Sequence, residues 1–177
     1  EMTELTANVP EREDLSVSRL YNEIFRTIQT LDRFITVGRH NLLLSEKKPI
    51  FDEMHLSVNL SNILRAFEEM VLNALKFSPK GSDVMVMLFR EGGHCALSVI
   101  NEATDEKGIP LGCENLVFEP FFRLSKTVQE EYKTLDFGLG LSLVETIATH
   151  NGGMVSISNV SDYSNLKSGP SVKVECM

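Results

Sequence analysis

Apolar residues recur at intervals of three and four through Val17, Leu20, Tyr21, Ile24, Phe25, Ile28, Leu31 and Phe34. That spacing lines one face of an amphipathic helix. Asp14 or Ser16 can cap its start, and Gly38, just past its end, suits a left-handed terminator. Residues 41–45 form an apolar run of strand length. The helical period returns from about residue 60 to 77 through Ile63, Leu64, Phe67, Met70, Val71, Ala74 and Leu75, and Pro79-Lys80-Gly81 ends it. Strand-like runs at 83–90 and 94–100 flank Glu91-Gly92-Gly93 and predict a hairpin. Residues 101–110 are polar and turn-rich, 116–122 are compact and aromatic, and 124–136 are polar without a period. Behind Gly138-Leu139-Gly140, helical spacing resumes at Leu141, Leu143, Val144, Ile147 and Ala148, and Gly152-Gly153 closes it. Residues 154–159 and 171–176 read as two final strands.

The order helix, strand, helix, hairpin, long loops, helix, hairpin predicts an α+β fold. It is a two-layer sandwich in which helices cover one face of a mixed, mostly antiparallel sheet. The irregular stretch in mid-domain is long for a compact fold, which points to a binding edge or lid. Residues 1–14, with Pro10 and the run Glu11-Arg12-Glu13-Asp14, read as a linker, and 15–177 as one domain. The chain opens on Glu1 rather than Met, as expected of a fragment of a longer protein.

Composition narrows the classes. Hydrophobic residues make up 42 % of the 177 and charged residues 24 %, which excludes disordered and collagen-like chains. No apolar run approaches the roughly 20 residues of a transmembrane helix, and the N-terminus lacks signal-peptide character. With 17 basic against 25 acidic residues, net −8, a broad nucleic-acid face is not expected. Three scattered cysteines, Cys95, Cys113 and Cys176, form no C-x-x-C, so a reducing, cytoplasmic setting is expected and a zinc site is not.

Three constellations carry candidate chemistry. Glu69, Asn73 and Lys76 are spaced by four and three and share one side of a helix. An Asn amid an apolar run offers the neutral oxygen that Mg²⁺ accepts beside phosphates, and Lys76 can meet phosphate as a point charge. A solvated polar stripe is the plain alternative. Second, Gly138 and Gly140 stand before a helix, where backbone N–H groups and the dipole favour an anion, although such a junction is also common without a ligand. Third, Phe118-Glu119-Pro120-Phe121-Phe122-Arg123 can anchor a mobile loop by burying its aromatics, leaving Arg123, Lys126 and Lys133 available to phosphates.

Taken together, Glu69-x-x-x-Asn73-Ala-x-Lys76-Phe77, Gly108-Ile109-Pro110, Phe118 to Arg123, Gly138-Leu139-Gly140-Leu141 and His150-Asn-Gly-Gly resemble, in order and spacing, the catalytic ATP-binding domain of sensor histidine kinases. That family lies within the gyrase, Hsp90, histidine kinase and MutL superfamily with the Bergerat fold. The resemblance covers roughly residues 15–177 and implies a protein histidine kinase of a two-component system, using ATP and Mg²⁺. Its implied partners are a dimerisation and phosphoacceptor domain of the same protein, absent here, and the receiver domain of a response regulator. The chain itself is then expected to be monomeric and to be a cytoplasmic portion of its protein. By the same resemblance Asn73 coordinates Mg²⁺, Lys76 contacts phosphate, and Phe77 supports the base pocket. Gly108 and Ile109 belong to the base loop, Phe118 to Arg123 to the lid's base, residues 124–136 to the lid, and Gly138 to Leu141 to the phosphate-admitting turn. At Glu69 the kinases often carry another Asn, whereas in the ATP-hydrolysing branch a Glu there activates water.

The base loop departs from the family pattern Asp-x-Gly-x-Gly. Asn101 aligns with its Asp, the first Gly is missing, and about three residues precede Gly108 as an insertion. Asp105 can take the base contact only by another loop path. The late Gly-Thr pair is also altered, to Gly169-Pro170-Ser171. These changes motivate a second expectation, a degenerate module acting through protein contacts, and Glu69 motivates a third, an ATPase. His55 has neither a following acid nor a Pro, so it is not expected to be the phosphoacceptor.

Overall fold

The computed structural model describes residues 11–104, 108–124, 138–161 and 170–177. In chain order these form β1 (Glu13–Ser16), α1 (Val17–Thr30), α2 (Asp32–Gly38), β2 (Asn41–Leu44), β3 (His55–Val58), α3 (Leu60–Phe77), β4 (Asp83–Glu91), β5 (His94–Glu102), α4 (Gly140–His150), β6 (Val155–Val160) and β7 (Ser171–Cys176). Single 3₁₀ turns occupy Pro49–Asp52 and Leu116–Phe118.

Five strands make one sheet in the order β2-β4-β5-β7-β6. β2 lies parallel to β4 across the α3 crossover, and the other neighbouring pairs are antiparallel. Strand alternation turns Val84, Val86, Leu88, Leu97, Val99, Ile157 and Val174 toward the helices. From the opposite side α3 buries Phe67, Met70, Val71, Ala74 and Leu75, α1 buries Leu20 and Ile24, and α4 buries Val144 and Ile147. Each large side chain so buried contributes about 1.5–3 kcal/mol. The predicted α+β sandwich with helices on one face is therefore the observed fold.

Two local features differ from the sequence reading. The first amphipathic stretch is two helices, because the chain bends at Leu31 (φ −89°, ψ 3°) while that side chain stays buried. The bend lets Phe34 and Ile35 keep packing on the core. At the end of α2 the left-handed residue is Arg39 (φ 56°), and Gly38 is the last, buried helical residue. The second difference is a small antiparallel sheet of β1 and β3, pairing Glu13 with Val58 and Ser16 with His55.

Helices α3 and α4 are pinned at one end by carboxamides. Asn59 caps α3 by accepting from Asn62 N at 2.9 Å. Its own N–H donates to Asn151 Oδ1 at 3.0 Å, and Asn151 Nδ2 donates to Ile147 O at 2.8 Å at the end of α4. The two helices run antiparallel, so the second half of α3 meets the start of α4.

Candidate functional site

At that meeting point lie Glu69 and Asn73. Both are half-buried and Lys76, one turn on, keeps only 7 % of its exposure, so this side of α3 is not a solvated stripe. A Cβ added to Gly140 would fall 2.8 Å from Glu69 Oε2 and 3.2 Å from Asn73 Nδ2. Glycine is what lets the first turn of α4 come this close. Ser16 and Asn59 cap α1 and α3 with side-chain oxygens, whereas Leu139 gives α4 no such cap. The positive end of the α4 dipole and its first N–H groups thus lie beside Asn73 without a capping side chain. Asn73 Nδ2 is buried and has no hydrogen-bond partner among the described residues. An orphaned buried amide of this kind costs about 1–3 kcal/mol. Among the described residues, no hydrogen bond fixes this Nδ2.

Just before α4 the chain makes a tight turn. Gly138 has φ +69°, and a Cβ there would strike the Phe122 backbone oxygen at 2.8 Å. Phe121 N donates to Gly138 O at 2.9 Å. The chain therefore leaves and returns at one point on either side of the predicted lid; residues 125–137, with Lys126, lie outside the described residues. Phe118 is buried and Phe122 packs on the core, as expected of an anchor. Phe121 differs: its left-handed backbone (φ 66°) turns the ring outward, 72 % exposed. Arg123 and Leu139 are exposed, and Leu141 packs on the core.

The third part sits at the far end of β5. Asn101 pairs with Val172 of β7, which pairs with Asn159 of β6, so two carboxamides flank a valine in one row of the helix-facing side. Asn101 is 6 % exposed, and its Nδ2 donates to Glu102 O at 2.9 Å, leaving the side-chain oxygen as the atom to present. Thr104 Oγ1 donates to Phe77 O, tying the loop to the end of α3; the Phe77 ring is 47 % exposed. Farther along, Ile109 N donates to Asn159 Oδ1 and Asn159 Nδ2 to Ile109 O, both at 2.8 Å. Asp105 lies outside the described residues. Asn159 escaped the sequence reading. Its one signal is parity: after Val155 and Ile157, a carboxamide takes the next inward position of β6.

The family described as histidine kinase-, DNA gyrase B-, and HSP90-like ATPase matches residues 59–175, well over half of the chain. The chain belongs to that family. Within this ATPase family it is 30 % identical over 95 residues to the sensor-like histidine kinase SenX3 of Mycolicibacterium smegmatis, covering 54 % of this chain and 23 % of that protein. It is 27 % identical over 169 residues to the adaptive-response sensory kinase SasA of Rippkaea orientalis, covering 82 % of this chain and 41 % of that one. The chain thus spans less than half the length of these relatives. Among solved structures, the catalytic domain of histidine kinase ThkA superposes with a TM-score of 0.68 at 17 % identity, covering 93 % of this chain and 94 % of that one. The mycobacterial sensor histidine kinase MprB gives 0.65 at 23 % identity, covering 93 % and 95 %. These likenesses establish a common fold.

Other candidate features of this ATPase-family domain carry no comparable chemistry. His55 opens β3, exposed, with Nδ1 3.1 Å from Asp14 Oδ1. An apolar cavity of about 260 Å³ lies at the opposite end of β5, lined by Leu20, Ile63, Leu97, Cys95 and Cys176, and touches none of Glu69, Asn73, Lys76, Asn101, Gly140 and Asn159. Burial pushes both of those thiols up to about 11, with the neighbouring Cys176 adding to the effect at Cys95, so they stay protonated and unreactive near neutral pH. Among the described residues no helix is long and apolar enough to cross a membrane.

Proposed function

We propose that residues 15–177 form the ATP-binding catalytic domain of a two-component sensor histidine kinase. In this reading it transfers the γ-phosphoryl group of ATP to a histidine on a separate dimerisation domain of the same protein, from which a response-regulator receiver domain takes it. The observation that carries the reading is the unsatisfied Asn73 amide facing the uncapped start of α4 across Gly140.

The residues present suit Mg²⁺ and a triphosphate. A carboxamide can turn by half a rotation and offer its oxygen, and Mg²⁺ takes few protein ligands when phosphates and water complete its shell. Asn73 is the residue that would hold it. Bound with the nucleotide, Mg²⁺ supplies neutralisation of charge on the phosphate oxygens. The α4 N-terminus receives the phosphate tail through its N–H groups. Lys76 adds positive charge from the same helix. Asn101, its amide nitrogen held by Glu102 O, offers an oxygen to the exocyclic amine of adenine. Gly138 brings the chain entering α4 against the Phe121–Phe122 main chain, which fixes where the start of α4 meets the phosphates. Catalysis is then positioning and electrostatics, since a neutral imidazole is already nucleophilic.

In the complete protein, Asn73→Ala is expected to abolish autophosphorylation from radiolabelled ATP; wild-type activity in that variant contradicts the assignment. Glu69 Oε2 beside Gly140 favours one second reading, an ATPase in which Glu69 activates water. Steady ATP hydrolysis by this chain, lost in Glu69→Gln, supports that reading, and an absence of turnover counts against it.

A further inference from the structure

The loop that departs most from the family pattern is held by a side chain that the pattern does not include. Asn159, on edge strand β6, offers both halves of its carboxamide to one residue, accepting from Ile109 N and donating to Ile109 O, each at 2.8 Å. This is the hydrogen-bonding pattern of a strand partner, supplied by a side chain. The fit is close. Gly108 has φ +61°, and a Cβ there would lie 2.3 Å from Asn159 Oδ1, so only glycine admits this approach. Asn159 lies in the same sheet row as Asn101, with Val172 between them. At about 4.8 Å per strand, the anchored Gly108–Ile109 peptide and the Asn101 amide stand on roughly 10 Å of rigid sheet.

We propose that Asn159 is a positioning residue for the nucleotide base. By holding the Gly108–Ile109 main chain to β6, it sets the distance of that main chain from Asn101. It touches no nucleotide atom. The inference rests on the ATP-binding reading above and adds to it the residue that anchors Ile109 to the sheet.

The test separates base from phosphate. Binding of adenosine, ADP and inorganic tripolyphosphate with Mg²⁺ is measured calorimetrically on this chain. In Asn159→Ala, adenosine and ADP are expected to weaken by the same factor, about tenfold for two neutral hydrogen bonds, while tripolyphosphate binding stays unchanged. Asn159→Asp keeps the acceptor for Ile109 N and drops the donor to Ile109 O, and is expected to show a smaller loss. Gly108→Ala should reduce adenosine binding more in the wild-type background than in Asn159→Ala, because the clash partner has gone. Unchanged ADP affinity in Asn159→Ala overturns the proposal alone. Equal losses of adenosine and tripolyphosphate also overturn it, since they mark a general structural role. A wild-type chain that binds no ADP overturns the ATP reading and this inference with it.

Discussion

At the α3–α4 end of the site, Asn73 and Glu69 meet a helix N-terminus across a glycine, and the Asn73 Nδ2 has no hydrogen-bond partner among the described residues. At the β5–β6 end the carboxamides are held: the Asn101 nitrogen donates to Glu102 O, and both ends of the Asn159 amide bond to Ile109. The first region gains its readiness from secondary structure, because helix ends expose N–H groups wherever no cap is supplied. The second depends on particular side chains clamping a loop. A helix terminus offers its N–H groups through the backbone, independent of particular side chains. A clamped loop depends on the side chain that clamps it, here Asn159 on Ile109.

The largest expected effect falls on the first region. Gly140→Ala brings a methyl within 2.8 Å of Glu69 Oε2. The carboxylate can swing away, so the fold should persist, but the gap is filled at a cost of about 1–3 kcal/mol, a roughly ten- to hundredfold loss of ADP and tripolyphosphate affinity by calorimetry. Equal affinity in the variant would show that nothing needs that gap. Next, Asn101→Leu keeps volume and removes the acceptor. Adenosine binding should fall about tenfold with tripolyphosphate unaffected, and a parallel loss of both would merge the two regions into one. The smallest effect on binding is expected from Asn151→Ala, which removes the hydrogen bonds joining the far ends of α3 and α4. Stability should drop by about 1–2 kcal/mol, seen in denaturant unfolding, with nucleotide affinity changed by less than about twofold. A large affinity loss would mean that the helix pair pivots about Asn59 and Asn151.

Legibility in the sequence follows the same division. α3 and α4 were readable because five or more apolar residues repeat at helical spacing and Gly or Pro punctuates their ends. The β4–β5 hairpin was readable from alternation around Gly92-Gly93. β1 and β3 were not, since four residues such as Glu13–Ser16, half of them charged, hold too little period to register. The break at Leu31 was hidden because the apolar spacing runs unbroken through it, and backbone geometry leaves no mark on that pattern. At the site, Glu69, Asn73 and Gly140 could be picked out one by one, but not their juxtaposition, which depends on two helices being antiparallel. The burial of Lys76 was invisible because a charged residue beside Glu and Asn reads as solvated. Asn159 gave only an inward parity on a short strand, and its partner Ile109 lies 50 residues away.

The most direct test is calorimetric titration of this chain with ADP, with and without Mg²⁺, in the wild type and in Asn73→Ala. Binding in the micromolar range that requires Mg²⁺, and that disappears in a variant melting at nearly the wild-type temperature, is the predicted result. Binding that ignores either the cation or the loss of Asn73, or no binding at millimolar ADP, would contradict it.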